Sequence, residues 1–531
     1  MENSIEIYEY NYGILLKLFE TKTRTSVNRI KGKTHSEYFD KYLNHIKANT
    51  IVVENDYIDR DFLEDFSAYY VRCFTDYKRK CTRLHFFHHC FGIDEFESFL
   101  ENFNSNFKKD LQDNYLGFIV IKPLPETIIG RTCLKTYLEK SESGDKRGFP
   151  IVRNYEVNLC GVRLNIKSLA FQEQDSVVSA CATSALWSAF QGTGILFHHK
   201  ILSPVEITKA ATKNAQIVER TFPNKGLNVE QMMHAVQELE MEPLVVEINN
   251  DLSILKDFVY SYLTFGIPII LGVDVFNTDP EASKEYLGRH AVAITGYRLE
   301  KKEKDSKDLG TFNLTSSSMT RIYVHDDQTG PFAKMMIDGK KTLKIKDIKF
   351  ASLSTEWKHD KTPIGFIRAV PSILLIPLYH KIRISLEKVL ELVRMFHRIL
   401  DFLALYGILP IGVFEWDIFL TNVNKFKEEL LSLSQSEWNF KRVLKKNMPR
   451  FIWRAKALCD GHPIIDLLFD ATDIEQGHIL LCEVIYDRDL ISTIQMIIQN
   501  IEFIPNELKE HVEGKSLVKW INKWADENPA N

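Results

Sequence analysis

The sequence predicts an α+β protein in which helices and antiparallel strands occupy separate stretches. Three observations carry this. Between about 145 and 375, helical patterns lead and strand patterns follow. The regions on either side each mix 3.6-residue and two-residue periodicities. The chain is 45% hydrophobic and 26% charged, which leaves out disordered and fibrous architectures. Its 531 residues, at roughly 100–200 per domain, have room for about three domains. We place these at 1–144 (an α/β domain), 145–375 and 376–531 (α+β).

Taken in order, Phe62 to Phe74 carries apolar residues at helical spacing, and Leu116 to Ile121 reads as a strand stopped by Pro123 and Pro125. Glu139 to Gly148 is an exposed polar loop. Tyr155 to Ile166 alternates as a hairpin. A helix opens at Cys181 with Ala182, Ala185, Leu186 and Ala189 on one face, and Gly192 and Gly194 are expected to end it. Ser203, Pro204 and Glu206 supply an N-cap, a first-turn proline and a capping-box acid for the next helix. An amphipathic helix over 228–240, a strand over 243–248 and a helix over 255–263 follow. The segments 266–275, 290–298 and 321–327 read as strands. Glu300 to Thr320 is a polar insertion between the last two, suited by composition to act as a lid. Beyond 376, Ser385 caps a helix whose apolar face is Leu386, Val389, Leu390, Val393 and Phe396, and 467–472 and 478–486 read as strands.

Composition narrows the function classes. The charge sum is 67 − 71 = −4, so nucleic acid is not expected as a partner. The first residues are acidic with no apolar core, and no secretory signal is expected. The longest apolar run, Phe402 to Phe414, holds Pro410 and falls short of the ~20 residues a span needs. Eight cysteines without a CxxC pair speak against a disulfide framework or zinc ribbon and for a reducing, cytoplasmic setting.

One ordered set of residues carries chemistry: Gln174 and Cys181, then His290 entering a strand, then Asp326 just beyond one. A free thiol, pKa about 8.5, is mostly protonated at neutral pH. A helix N-terminus and a neighbouring imidazolium both favour thiolate, and the imidazolium can protonate a leaving group. A third polar residue fixes the ring, and preorganised donors hold an oxyanion. Cys181 is the candidate nucleophile, His290 the acid–base and Asp326 the orienting group, with Asp327 open as the alternative. The Cys181 N–H and the Gln174 amide are the candidate oxyanion donors.

These residues resemble the papain-like cysteine peptidases, most closely the bacterial branch that includes the bacteriocin leader-processing peptidases. The features are Gln174, Cys181-Ala182 opening a helix, Gly266-Ile267-Pro268, His290-Ala291-Val292, Gly296-Tyr297, and Asp326 to Gly330, covering roughly 160–335. The resemblance implies a papain-like domain, N-terminal helical part then antiparallel sheet, cleaving an amide or isopeptide bond of a protein or peptide through a thioester, with no cofactor and no metal. The chain departs from the pattern in places. Six residues separate Gln174 from Cys181, one more than is usual, and Gln172 is a weaker substitute. No proline follows the aspartate, and the insertion Glu300 to Thr320 is atypical. Two alternatives stay open: a transglutaminase- or deamidase-like acyl transferase with the same triad, and an inactive binding scaffold. Oligomeric state is not legible.

Other residues have plainer readings. Trp187 is expected in the core, Arg289 at solvent, and His325 facing away from its neighbour Asp326. The donors Cys81, His85, His88, His89 and Cys90 lack a paired ligand motif. Asp56, Asp59, Asp61, Glu64 and Asp65 read as an acidic helix start, not a calcium loop. Lys78 to Arg83 reads as a solvated basic face. Glu415 and Asp417 are too generic to support acid–base chemistry.

Overall fold

The computed structural model describes residues 5–102, 105–139, 144–175, 177, 180–213, 226–280, 285–300, 310–345, 348–357, 362, 365–405, 413–433, 438–474 and 479–486. Helices and antiparallel sheets together make it α+β. The described residues form two compact units: one from 1–255, 266–299 and 320–379, the other from 256–265, 300–319 and 380–531.

The first unit opens with a five-stranded sheet: β1 (Ile5–Glu9), β2 (Thr50–Tyr57), β3 (Cys81–Phe87), β4 (Tyr115–Ile121) and β5 (Ile129–Leu134). Neighbours in sequence are neighbours in space, and every pairing is antiparallel. This region is therefore α+β where an α/β domain was expected, because no crossover returns a strand in parallel. Helices α1 (Tyr12–Lys22), α2 (Val27–Gly32) and α3 (Thr34–His45) fill the β1–β2 connection. Helix α4 (Arg60–Ala68) joins β2 to β3; α5 (Ile93–Asn102) and α6 (Ser105–Asp113) join β3 to β4. Helix α4 ends sooner than its apolar pattern suggests. Strand β4 stops before the prolines, as read. Asp59 caps α4 through the Phe62 N–H, the role expected of that acidic group. Arg83 of the basic run is instead buried in β3 and paired with Glu54 at 2.7 Å.

A short strand β6 (Lys146–Gly148) precedes the hairpin β7 (Arg153–Leu159) and β8 (Val162–Ser168). Its two-residue turn has positive φ at both Cys160 and Gly161, the geometry that matches strand twist. Helix α7 (Cys181–Phe197), α8 (Pro204–Thr212), α9 (Val229–Gln237) and strand β9 (Met241–Glu247) follow, and α10 (Leu252–Leu263) belongs from Lys256 onward to the second unit. The Ser203–Glu206 capping box forms at α8. Helix α7 runs past both glycines to a left-handed His198. The glycines allow close packing: a Cβ on Gly192 would meet Pro268 at 3.4 Å, and one on Gly194 would meet Ile201 at 2.7 Å.

The second sheet of this unit holds eight strands. They include β10 (Ile269–Asn277), β11 (Tyr286–Leu299), β13 (Met319–Asp326), β14 (Gly330–Ile345), β15 (Ile348–Ser354) and β16 (Ile367–Tyr379). These pair in that order, and β10 also pairs with β16, closing a ring. Strands β9 and β6 add to β16 and β11. Helix α7 is the central helix, buried from Ala182 to Gly194. Ala291 and Ala293, alternate residues of β11, share a core with Ala182, Ala185, Ala189 and Phe190. Small residues on both surfaces let helix and strand approach closely, which brings the ends of α7 and β11 together.

The second unit is a five-stranded sheet: β12 (Asn313–Leu314), β17 (Phe414–Asn422), β18 (Phe451–Cys459), β19 (His462–Asp470) and β20 (Leu480–Ile485). It carries α11 (Leu386–Leu405), α12 (Val423–Ser432) and α13 (Trp438–Lys445). The expected apolar face of α11 is buried at each named position. Part of the proposed lid, 310–319, is built into this unit, β12 pairing with β17, while 301–309 lie outside the described residues. Among the described residues, no helix is long and apolar enough to cross a membrane.

Candidate active site

Cys181 is the first residue of α7. The position before it is Ala180, extended at ψ 179° and with no side-chain acceptor, so the first N–H groups of the helix receive no side-chain cap from it. The thiol therefore sits at the positive end of a 17-residue dipole, half-buried at the mouth of a cleft.

Strand β11 delivers His290 opposite Val273 of β10. The ring is 7% exposed, and it lines the same cleft as the Cys181 thiol, which favours its protonated form. Its Nε2 lies 3.0 Å from Asp326 Oδ1. Asp326 ends β13 and is wholly buried. Four donors hold it: the His290 ring and the Gln328 N–H at 3.0 Å to Oδ1, the Thr329 hydroxyl at 3.1 Å to Oδ2, and the Trp357 indole N–H, also to Oδ2. Burial pushes this carboxyl up, but the imidazolium and these hydrogen bonds outweigh it and hold it below the usual range.

Asp326 and Asp327 do not compete for the role; both face His290. The strand ends at Asp326 and a turn begins, closed by the Thr329 N–H on the Asp326 carbonyl at 3.0 Å. The alternation that would send neighbouring side chains to opposite faces stops there. Asp327 Oδ1 comes within 3.5 Å of His290 Nε2, yet neither of its oxygens accepts a hydrogen bond. Burial, with the Asp326 charge added and the imidazolium opposing, pushes its pKa up to about 7. Burial alone would lower the His290 pKa, but the two carboxylates raise it well above the ordinary value. His290 is thus held as an imidazolium beside the thiol.

A linkage test follows for Asp327. A carboxyl whose folded pKa exceeds its unfolded value favours folding when protonated. That stability is lost as pH rises from about 4 towards about 7. Asp327→Asn removes the loss, so its Tm relative to wild type is expected to be higher at pH 8 than at pH 5. Thermal denaturation at both pH values checks this.

Two cavities flank His290. The larger, about 770 Å³, is lined by Gln174, Ala180, Cys181, the start of α9, Gly272 to Asp274, and Ser372. The smaller, about 150 Å³, is lined by Leu287, Gly288, Trp357 and Ile367. Arg289, His290 and Gln328 border both. Trp357 stands edge-on to the imidazole, centroids 5.2 Å apart at 86°, and covers the His290–Asp326 hydrogen bond. Gln174 reaches the cleft with Cys181, whereas Gln172 is buried elsewhere with its Nε2 unpartnered. If Gln174 is an oxyanion donor, Gln174→Ala is expected to cost about 10²–10³ in turnover with little change in KM, measured by steady-state kinetics.

His290, Asp326 and Asp327 also bring three ligand-capable groups within 4.8 Å. The 3.0 Å separation of Nε2 and Oδ1 is that of a shared proton, and the other Asp326 oxygen is taken by Thr329 and Trp357. The donor set suits an imidazolium better than a metal ion.

The remaining sequence candidates fall elsewhere. Trp187 is in the core, its indole donating to Asp61 at 3.0 Å. Arg289 is almost fully exposed on the cleft rim, 3.7 Å from Asp274. His325 is buried against Phe171 and Phe332. His85 contacts Tyr115, His88 the Lys47 carbonyl and His89 Asp110, so no shared metal centre gathers them. Sequence reading missed Trp357, Gln328 and His35, the last of which contacts the Asp327 carbonyl. Trp357 and His35 lie 31 and 292 residues from their partners in patterns with no local mark. No family model matches this chain, and no curated protein does.

Proposed function

We propose that the chain is a cysteine-dependent hydrolase of papain-like type that cleaves an amide or isopeptide bond. The observation that carries this reading is the line from the Cys181 thiol through the His290 ring to Asp326, opening on a cleft of about 770 Å³. That volume lies within the ~300–1,000 Å³ of ordinary ligand sites.

The chemistry follows from the roles. The Cys181 sulfur attacks the carbonyl carbon, and the negative charge moves to oxygen, where the Cys181 N–H and the Gln174 amide receive it. The C–N bond breaks as His290 passes its proton to the leaving nitrogen, giving a thioester and a free amine. Neutral His290 then takes a proton from water, whose oxygen attacks the thioester. The C–S bond breaks, releasing the acid and returning the sulfur as thiolate beside the reprotonated His290, as at the start. Asp326 keeps the ring in one tautomer throughout, with Trp357 screening that hydrogen bond from water. The cavities on either side of His290 are suited to the acyl and leaving-group sides of the scissile bond.

The test is a peptide pool incubated with wild type and with Cys181→Ala, in the presence of a labelled primary amine, read by mass spectrometry. New peptide termini in the wild-type sample alone support hydrolysis. Amine incorporation without new termini makes the enzyme a transferase. Neither signal overturns the enzymatic reading.

A further inference from the structure

Helix α3, far from the reacting thiol in sequence, touches both chain segments that build the site. His35 of α3 is buried, and its Nε2–H donates to the Asp327 carbonyl at 2.8 Å. Burial lowers its pKa, against the pull of Glu173, so the ring is neutral with the proton on Nε2. Its other nitrogen lies 3.9 Å from Glu173 Oε1, which Lys33 pairs at 2.7 Å. Glu173 is the residue before Gln174. It is pinned to β5 by its own N–H on the Ile129 carbonyl at 3.1 Å and by the Ile129 N–H on its Oε2 at 3.0 Å. One turn further along α3, the Tyr38 hydroxyl donates to the Pro331 carbonyl. The Tyr38 ring lies against Gly330, where φ is +153° and a Cβ would meet it at 2.4 Å.

The Asp327 carbonyl is the telling contact. Asp326 and Asp327 aim at one imidazole only because the chain leaves the strand between them. The peptide that follows must be held for that to persist, and His35 holds its oxygen. We infer that His35 is a positioning residue of this centre, acting through the Asp327 carbonyl to keep both carboxylates on His290. The inference rests on the proposed thiol–imidazolium reading of Cys181 and His290. It makes the N-terminal α+β region part of the catalytic scaffold.

The groups around the imidazole are Cys181 of α7, Asp326 at the end of β13, and Asp327 of the following turn, with Arg289 and Asp274 on the rim and Glu173, Lys33 and His35 behind. The test uses the full chain and iodoacetamide, following alkylation of Cys181 by mass spectrometry from pH 5 to 9.5, with exposed Cys90 and Cys160 as internal references. For His35→Ala, the Cys181 rate at pH 6 is expected to fall about 10-fold or more, since small misplacements near reacting groups cost this much. Its profile moves to higher pH, with the pH 9.5 rate nearly unchanged. His35→Gln, which returns a donor to the ε position, is expected to restore most of the loss. If His35→Ala does not fold, His35→Asn, whose amide stops short of the carbonyl, takes its place. A wild-type profile in the variant, or an equal loss at both pH values that Gln does not rescue, overturns the inference and leaves the parent reading standing. Absence of any Cys181 preference in wild type overturns the parent reading, and the inference with it.

Discussion

Cys181→Ala is expected to lower turnover by about 10⁴-fold or more, since the proposed thioester needs a thiol and Cys181 is the one cysteine among the described residues that line the cleft. The fold is expected to survive. Cys181 is half-buried and makes the first turn of α7, where alanine is a good helix residue. The Tm change is therefore expected within about 2 °C, the scale of a substitution costing about half a kcal/mol in a domain of this size. Kinetics and a thermal melt on the same preparation separate loss of chemistry from loss of structure. A variant that keeps a tenth of the activity would remove Cys181 as nucleophile.

His290→Ala is expected to be nearly as damaging to turnover, about 10⁴-fold, because attack and leaving-group protonation both pass through this ring. It also has a signature that needs no substrate. A free thiol with pKa about 8.5 is only ~0.3% ionised at pH 6. Removing the imidazolium is expected to slow Cys181 alkylation at pH 6 relative to Cys90 and Cys160, since the thiolate is the reacting species. Stability carries the same mark. His290 has its folded pKa above the ordinary 6.5, so its stabilising contribution is full below that value and is lost as pH rises through the folded pKa. The Tm deficit of His290→Ala is accordingly expected to be widest near pH 5–6 and to narrow at alkaline pH. A deficit that grows with pH would mean that the ring is neutral in the native protein.

The residues of the candidate site were legible because each has a local mark. Cys181 opens an alanine-rich helix, His290 begins the buried run of a strand, and Asp326 ends one before a glycine turn. Periodicity could not decide between Asp326 and Asp327, because it assumes that the strand continues; the turn brings both to the ring. The Gly192–Gly194 pair reads as a helix stop from propensity alone, but Pro268 and Ile201 need that space, and tertiary packing wins. The N-terminal region reads as α/β because mixed helix and strand signals carry no strand direction; only the pairing of β1 to β5 settles it. Trp357 and His35 were illegible because their roles depend on contacts 31 and 292 residues away.

The reactivity of the Cys181 sulfur relative to the other thiols is the most direct measure of the proposed site. Cys90 and Cys160 are the exposed thiols among the described residues, whereas Cys181 is half-buried. With substoichiometric iodoacetamide at pH 6, the account expects Cys181 to be labelled ahead of both, and this preference to vanish in His290→Ala. Labelling that simply follows exposure, Cys90 and Cys160 first in wild type and variant alike, would contradict it.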